Sequence, residues 1–316
     1  MTKALAQLSQ VDFDVVSFDF IIAAVYRDLF LNCFTVLNEH NIESKLLSRS
    51  GAVGKEELID SLVTEMAQVK PFADSQSESK LLEDYETENW HKFPLRTVVT
   101  HENKQEMDSR CSKGQTLVVK NGINIEAASS VGSYDSQKIL YMGTMSYYPN
   151  IDGVLYFVST ILPIIWRLNP DISFCIAGRE PPKVIQDLAI KYSQIEVIAN
   201  PQDMSVVAAD CSLSIVPLRS GSGTRIKILH SMAMGLPVVS STLGCEGLEM
   251  IDQEHLLIQD EPHDFAQAVV RLTQDQELWQ RLQTNGRQLV ETKYDWTAIF
   301  SEYEQHLVKI CKKSTV

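Results

Sequence analysis

From its middle onward, the chain alternates between two spacings of apolar residues. Short continuous apolar runs, each closed by glycine or a turn, give way to stretches in which apolar residues recur every three or four positions. Residues 138–145 (KILYMGTM) predict a strand running into a turn. Residues 150–168 predict a helix, with Val154, Phe157, Ile161, Ile164 and Ile165 on its apolar side. Residues 171–177 predict the next strand, closed by Gly178. Pro181 and Pro182 then open a helix to about Ser193, because proline is tolerated in a first helical turn. Further strands are expected at 195–198, 211–218, 237–241 and 255–259, with a helical turn at 203–209. A helix is expected at 224–234, its Ile226, Leu229 and Ala233 facing the core and Gly235 and Pro237 ending it. From 264 to 310 the pattern is nearly all helix. Strands alternating with helices predict an α/β fold with a parallel sheet covered on both faces. Ligands then belong at the carboxyl ends of the strands, near the switch point.

The first half follows the same rhythm less clearly. Strands are expected at 13–18, 34–37, 96–101 and 116–119, and helices at 21–30, 43–49, 56–68 and 102–110. Residues 73–88 are polar and acidic, with a helical piece at best. The small polar stretch 127–136 (AASSVGSYDS) reads as a linker. This divides the chain into a first domain over 1–126, a linker over 127–136 and a second domain over 137–294. A terminal helix over 295–316 is expected to pack back toward the first domain.

Composition narrows the function. The chain has 316 residues, 44 % hydrophobic and 22 % charged, an ordinary globular balance. Its net charge of −13 is shared evenly between the halves, so neither offers the cationic stripe that nucleic acid requires. Only the tail, with Lys309, Lys312 and Lys313, is basic enough for a peripheral membrane contact. The six cysteines have no metal-ligand or CxxC spacing and read as reduced buried thiols. The first eight residues lack the apolar core of a secretory signal. The apolar run 153–166 is shorter than a membrane span of about 18–20 residues. The reading is a soluble, cytoplasmic protein.

The stretch 217–235 (PLRSGSGTRIKILHSMAMG) carries the chemistry. A strand ends, Gly221, Ser222 and Gly223 make a flexible loop, and a helix begins with Thr224 as the expected N-cap. Free backbone N–H groups gather at such a junction, which suits an anion. Arg225 and Lys227 occupy the first turn, at the positive end of the helix dipole, where each costs about 0.3–1 kcal/mol unless an anion answers it. A diphosphate would answer both. His230 follows one turn later on the same face, where a ribose attached to that diphosphate would lie. Other motifs fail. Asp12-Phe13-Asp14 has the spacing of a metal-binding pair but no acidic neighbour to share the ion. Ile226 stands where a dinucleotide fingerprint needs its third glycine. No GxxxxGK, HExxH or GxSxG occurs.

With these residues in place, 221–250 (GSGTRIKILHSMAMGLPVVSSTLGCEGLEM) resembles the donor segment of the retaining GT-B glycosyltransferases of the family-4 type, the group 1 glycosyl transferases. The usual pattern there is GGTRxKxLEAMAxGxPVVxTxxGxEGL. The resemblance extends to 140–157, 175–182, 118–124 and 38–44. It implies two Rossmann-like domains facing a cleft. The implied activity is metal-independent transfer, with retention, of a sugar from a nucleotide-diphosphate donor to a polysaccharide or lipid-linked acceptor, without a cofactor. Gly143 would admit the phosphates and Arg179 would face the cleft. Gly221, Ser222, Gly223 and Thr224 would give backbone contacts to the diphosphate, which Arg225 and Lys227 would neutralise. His40 matches the cleft histidine near the transferred sugar, and Glu246 would contact that sugar.

Two departures qualify the resemblance. The family's ribose-binding glutamate is His230 here, and a neutral imidazole has one acceptor where a carboxylate has several. About 123 residues precede the linker, so the first domain is expected to be incomplete, entering near its fourth strand with an exposed sheet edge that invites association. A non-catalytic remnant or nucleotide-sugar-binding partner protein with this fold is the alternative reading, and an epimerase a weaker one.

Overall fold

Two parallel sheets organise the chain in the computed structural model, which describes residues 7–9, 11–45, 47–48, 75–125, 131–221 and 224–314, with 75–78 and 311–314 as backbone alone. The helix expected at 56–68 and the end of that expected at 43–49 lie outside the described residues, as do Ser222 and Gly223.

The first sheet has the order β1 (Val15–Asp19), β2 (Phe34–Glu39), β3 (Leu95–Val98), β4 (Gln115–Val118). A 3-10 helix over Ile21–Leu29 joins β1 to β2, and α1 (Ser75–Trp90) precedes β3. Helix α2 (His101–Arg110) joins β3 to β4, and the Thr100 hydroxyl accepts from Asn103 N at 3.1 Å to cap it. Helix α1 corrects the expectation of a helical piece at best. It runs for 16 residues without an apolar stripe because its inner face is polar. Glu86, 1 % exposed, accepts from the Ser44 hydroxyl at 2.6 Å and pairs with Arg110 at 2.9 Å. Asn89 and Trp90 are buried beside it.

The second sheet has six parallel strands. They are β5 (Lys138–Met142), β6 (Ser173–Gly178), β7 (Ile195–Ala199), β8 (Leu213–Val216), β9 (Val238–Ser240) and β10 (Leu257–Ile258), in the spatial order β10-β9-β8-β5-β6-β7. Helix α3 (Tyr148–Leu168) is apolar and long enough to cross a membrane by length and composition. In the fold, Val154, Phe157, Ile161, Leu162 and Ile165 pack into the core against the sheet and α4 (Pro262–Gln274). Phe157–Ile161 form a π-turn just before Pro163, whose missing N–H cannot continue the regular ladder.

Helix α5 (Ile226–Ala233) starts two residues later than expected. Ile228, Leu229, Met232 and Ala233 make its buried stripe. Ile226, expected in the core, sits at the rim of that stripe and is 37 % exposed. The chain ends in α6 (Gln276–Lys293) and α7 (Trp296–Ser314). Trp296 N donates to the Ile123 carbonyl at 3.2 Å, and Tyr303 on α7 lies within electrostatic reach of Asp19. The described cysteines are free; Cys111, Cys175, Cys211 and Cys245 are buried and Cys33 is partly so.

Candidate functional site

The second sheet grows in both directions from β5. Strands β6 and β7 lie to one side of it, and β8, β9 and β10 to the other. Crossovers therefore leave toward opposite faces between β5 and β8, and a crevice opens at their carboxyl ends. Gly143 follows β5, and Gly221 lies shortly after β8, buried at φ 105°, a conformation natural to glycine.

Lys227 reaches from α5 into this crevice. Its Nζ donates to Asn150 Oδ1 at 2.6 Å and to the Tyr141 hydroxyl at 3.0 Å, and it stands 4.3 Å from the Tyr141 ring centroid. Asn150 is locked in turn, its Nδ2 donating to the Thr144 carbonyl at 2.7 Å. A Cβ on Gly143 would stand 2.9 Å from Asn150 Nδ2 and 3.0 Å from Lys227 Nζ. Glycine there keeps the approach to the cation open. Gly178 backs this wall, for a Cβ on it would collide with the Gly143 carbonyl.

Arg225 occupies the N-cap position of α5 and is 7 % exposed. Its Nη2 is 3.3 Å from where a Cβ of Gly221 would stand. The two cations thus share the helix start with Gly221. Thr224 is not the N-cap; no side chain caps α5, because the first helical turn begins one residue further on. Thr224 Oγ1 is buried without a hydrogen-bond partner among the described residues.

Burial, and then the neighbouring Arg225, push the Lys227 ammonium down to about 7. Among the described residues no carboxylate pairs with it. Burial raises the Tyr141 phenol, which stays protonated and hydrogen-bonds to Asn150 Oδ1 at 3.0 Å. His230 is exposed to solvent, yet the protein around its ring lowers it below the ordinary histidine value, so the imidazole is neutral at pH 7.

The remaining candidates are more dispersed. Tyr147, 43 % exposed, lies within electrostatic reach of both Arg225 and Glu43, and Glu43 within reach of His40. His40 follows β2 with its ring 4.7 Å from that of Phe20. Glu246 ends a 3-10 turn over Leu243–Cys245. Its neighbour Gly247, at φ 78°, lies so close to Thr100 that a Cβ would be 2.5 Å from Thr100 Cγ2, which sets this loop against the first sheet. Glu249 fastens the junction by pairing with Lys120 and, at 2.7 Å, with Lys293; those hydrogen bonds hold its carboxyl down at about 2. Arg179 is exposed at the end of β6, and its carbonyl accepts from Met145 N at 2.7 Å. The structure therefore gathers Gly143, Gly221, Arg225 and Lys227 near one another, with Arg179 at the end of β6 and His40 at the end of β2.

Sequence reasoning missed Tyr141, Asn150 and Gly178. Tyr141 sits inside an apolar strand run, and Asn150 is the polar residue at the head of an apolar helix; each signal was present but ambiguous.

Comparison with known proteins fits this geometry. Residues 136–275 match the model of a family described as glycosyl transferases group 1. An uncharacterised 44.6 kDa protein in the cps region of Klebsiella pneumoniae is 25 % identical over 171 residues, covering 52 % of this chain and 44 % of that protein. The chain thus spans less than half of that relative's length. Among solved structures, S. aureus TarM superposes with a TM-score of 0.71 at 14 % identity, over 96 % of this chain and 57 % of TarM. Sucrose-phosphate synthase from Thermosynechococcus elongatus gives 0.69 at 17 %, over 94 % and 74 %. Anabaena HepE in complex with UDP-glucose gives 0.70 at 12 %, over 98 % and 81 %. The fold is GT-B.

Proposed function

We propose that this chain is a sugar transferase that binds a nucleotide-diphosphate sugar at the start of α5 and passes the sugar, with retention and without a metal, to a polysaccharide or lipid-linked acceptor. The observation that carries this reading is the pair Arg225 and Lys227 beside Gly143 at the switch point of the second sheet. The group 1 match over the same residues supports it, as does the UDP-glucose held by HepE.

Cleavage of the donor leaves a diphosphate anion and an oxocarbenium-like sugar. Preset cations and helix N–H groups stabilise the anion as its charge develops. The departing phosphate itself takes the acceptor proton, so no separate base is assigned. In this reading His40 and Glu246 lie on the sugar side of the cleft, Arg179 at its rim, and the diphosphate meets the backbone at Gly221 and Thr224. In this reading the cleft lies between residues 1–126 and 137–294, and the reaction takes place in the cytoplasm.

His230 favours a second reading, a nucleotide-sugar-binding protein without turnover. A neutral imidazole in place of a carboxylate forgoes a charged hydrogen bond of about 1.5–3 kcal/mol. Calorimetric titration with UDP, GDP and ADP tests the donor site, and release of sugar from the matching donor, with and without acceptor, tests turnover. Binding with release supports the transferase, binding alone supports the second reading, and no binding at millimolar concentration removes both. His230→Glu is expected to tighten nucleotide binding about tenfold; unchanged affinity would place the ribose elsewhere.

A further inference from the structure

Lys227 is held in an unusual way for a half-buried lysine. Among the described residues its hydrogen-bond partners, Asn150 Oδ1 at 2.6 Å and the Tyr141 hydroxyl at 3.0 Å, are both neutral. The Tyr141 ring faces the ammonium at 4.3 Å and the charged neighbour acting on it is another cation, Arg225, while Asp152, which acts on Tyr141, is paired with Arg219 at 2.7 Å. Asn150 and Tyr141 are themselves 6 % and 0 % exposed, and their mutual bond and the Asn150 bond to the Thr144 carbonyl leave them little freedom. The cradle fixes where the nitrogen stands without answering its charge.

We propose that Tyr141 and Asn150 are positioning residues which hold Lys227 among neutral partners, so that an arriving nucleoside diphosphate supplies the counter-charge and its binding takes up a proton at Lys227 Nζ. This rests on the donor-site reading above. The cradle thereby distinguishes an empty site, in which the lysine gives up its proton readily, from a filled one, in which a phosphoryl oxygen holds the ammonium in place. The proton comes from solvent and moves to the lone pair of Nζ; no other bond forms or breaks.

The test is titration of UDP at pH 8, in buffers of different ionisation enthalpy, into the wild type and three variants. At this pH the second ionisation of a terminal phosphate, near 6, is complete. His230 lies on the neutral side, and Tyr141 and Tyr147 stay protonated because burial raises both. The Glu39 carboxyl, raised by burial to about 8, is the one other described group resolved to titrate near this pH, and Glu39→Gln removes it. Wild type and Glu39→Gln are expected to take up a proton on binding UDP at this pH, because a group lowered to about 7 is largely neutral at pH 8. Asn150→Asp sets a carboxylate against the ammonium, so proton uptake should disappear and affinity fall at least about tenfold. Tyr141→Phe keeps the ring and should weaken UDP a few-fold with uptake retained. UDP binding without uptake in the wild type, uptake lost in Glu39→Gln, or uptake unchanged in Asn150→Asp each overturns the inference. If Asn150→Asp does not fold, the wild-type and Glu39→Gln comparison and Tyr141→Phe decide, and uptake lost in Tyr141→Phe counts against the cradle. No binding of any nucleoside diphosphate overturns the donor-site reading as well; binding without uptake overturns this inference alone.

Discussion

The two sheets solve the problem of burial differently. The second buries aliphatic and aromatic side chains on both faces and admits polar groups mainly at one end, around Lys227. The first adds buried hydrogen bonds and an ion pair to a smaller apolar core. Fully buried Arg96 donates to the carbonyls of Trp90 at 2.9 Å and Lys113 at 2.7 Å, the Glu86–Arg110 pair ties α1 to α2, and Glu39 accepts from Trp90 Nε1 at 2.9 Å. It also leaves Ile22, Val25 and Leu31 more than half exposed. In the second sheet Lys227 is buried among neutral partners, whereas in the first Glu86 and Arg110 pair with each other, so a buried charge is handled differently in the two halves.

That contrast can be attacked by mutation. The largest effect is expected from Gly178→Ala, whose new Cβ must displace the Gly143 backbone; a loss of more than about 3 kcal/mol should appear in denaturant unfolding, along with a loss of nucleotide binding. Glu86→Ala should cost about 3 kcal/mol, because Arg110 and Ser44 lose their buried partner. UDP affinity should stay within about threefold, since the damage lies in the first sheet. A collapse of UDP binding in Glu86→Ala would show that the two sheets are not separable in this way.

A third expected effect is a difference in pH dependence. Glu39 is raised to about 8 in the folded chain, so the folded state holds more protons than the unfolded state from the ordinary carboxylate range up to that value. Its contribution to stability therefore falls as pH rises through this range. Lys227 is lowered to about 7, so from there to the ordinary lysine value of 10.5 the unfolded chain holds more protons. Its contribution rises with pH. Unfolding measured from pH 5 to 10 should lose its downward limb in Glu39→Gln and its upward limb in Lys227→Met. Identical pH curves for the two variants would erase the distinction between the halves.

The same contrast explains what was legible in the sequence. The strands of the second sheet declare themselves because an apolar core imposes its period on the chain. Arg225 and Lys227 stand out in the sequence because cations at the start of a helix run against its dipole. Helix α1 was underestimated because Glu86, Asn89 and Trp90 pack through hydrogen bonds and charge, which leave no apolar stripe. Residue preference points to Thr224 as the N-cap, whereas α5 begins without a side-chain cap and with Arg225 at that position. Asn150 and Tyr141 stayed hidden because their role depends on a lysine some eighty residues away in the chain.

The direct trial of the central idea is to titrate UDP and uridine into the wild type and into Lys227→Met. UDP should bind the wild type while uridine does not. Lys227→Met should bind UDP about 10- to 100-fold more weakly, the equivalent of about 1.5–3 kcal/mol for a charged hydrogen bond. Equal affinity of wild type and Lys227→Met for UDP, or uridine binding as tightly as UDP, would contradict a site built around two phosphoryl groups.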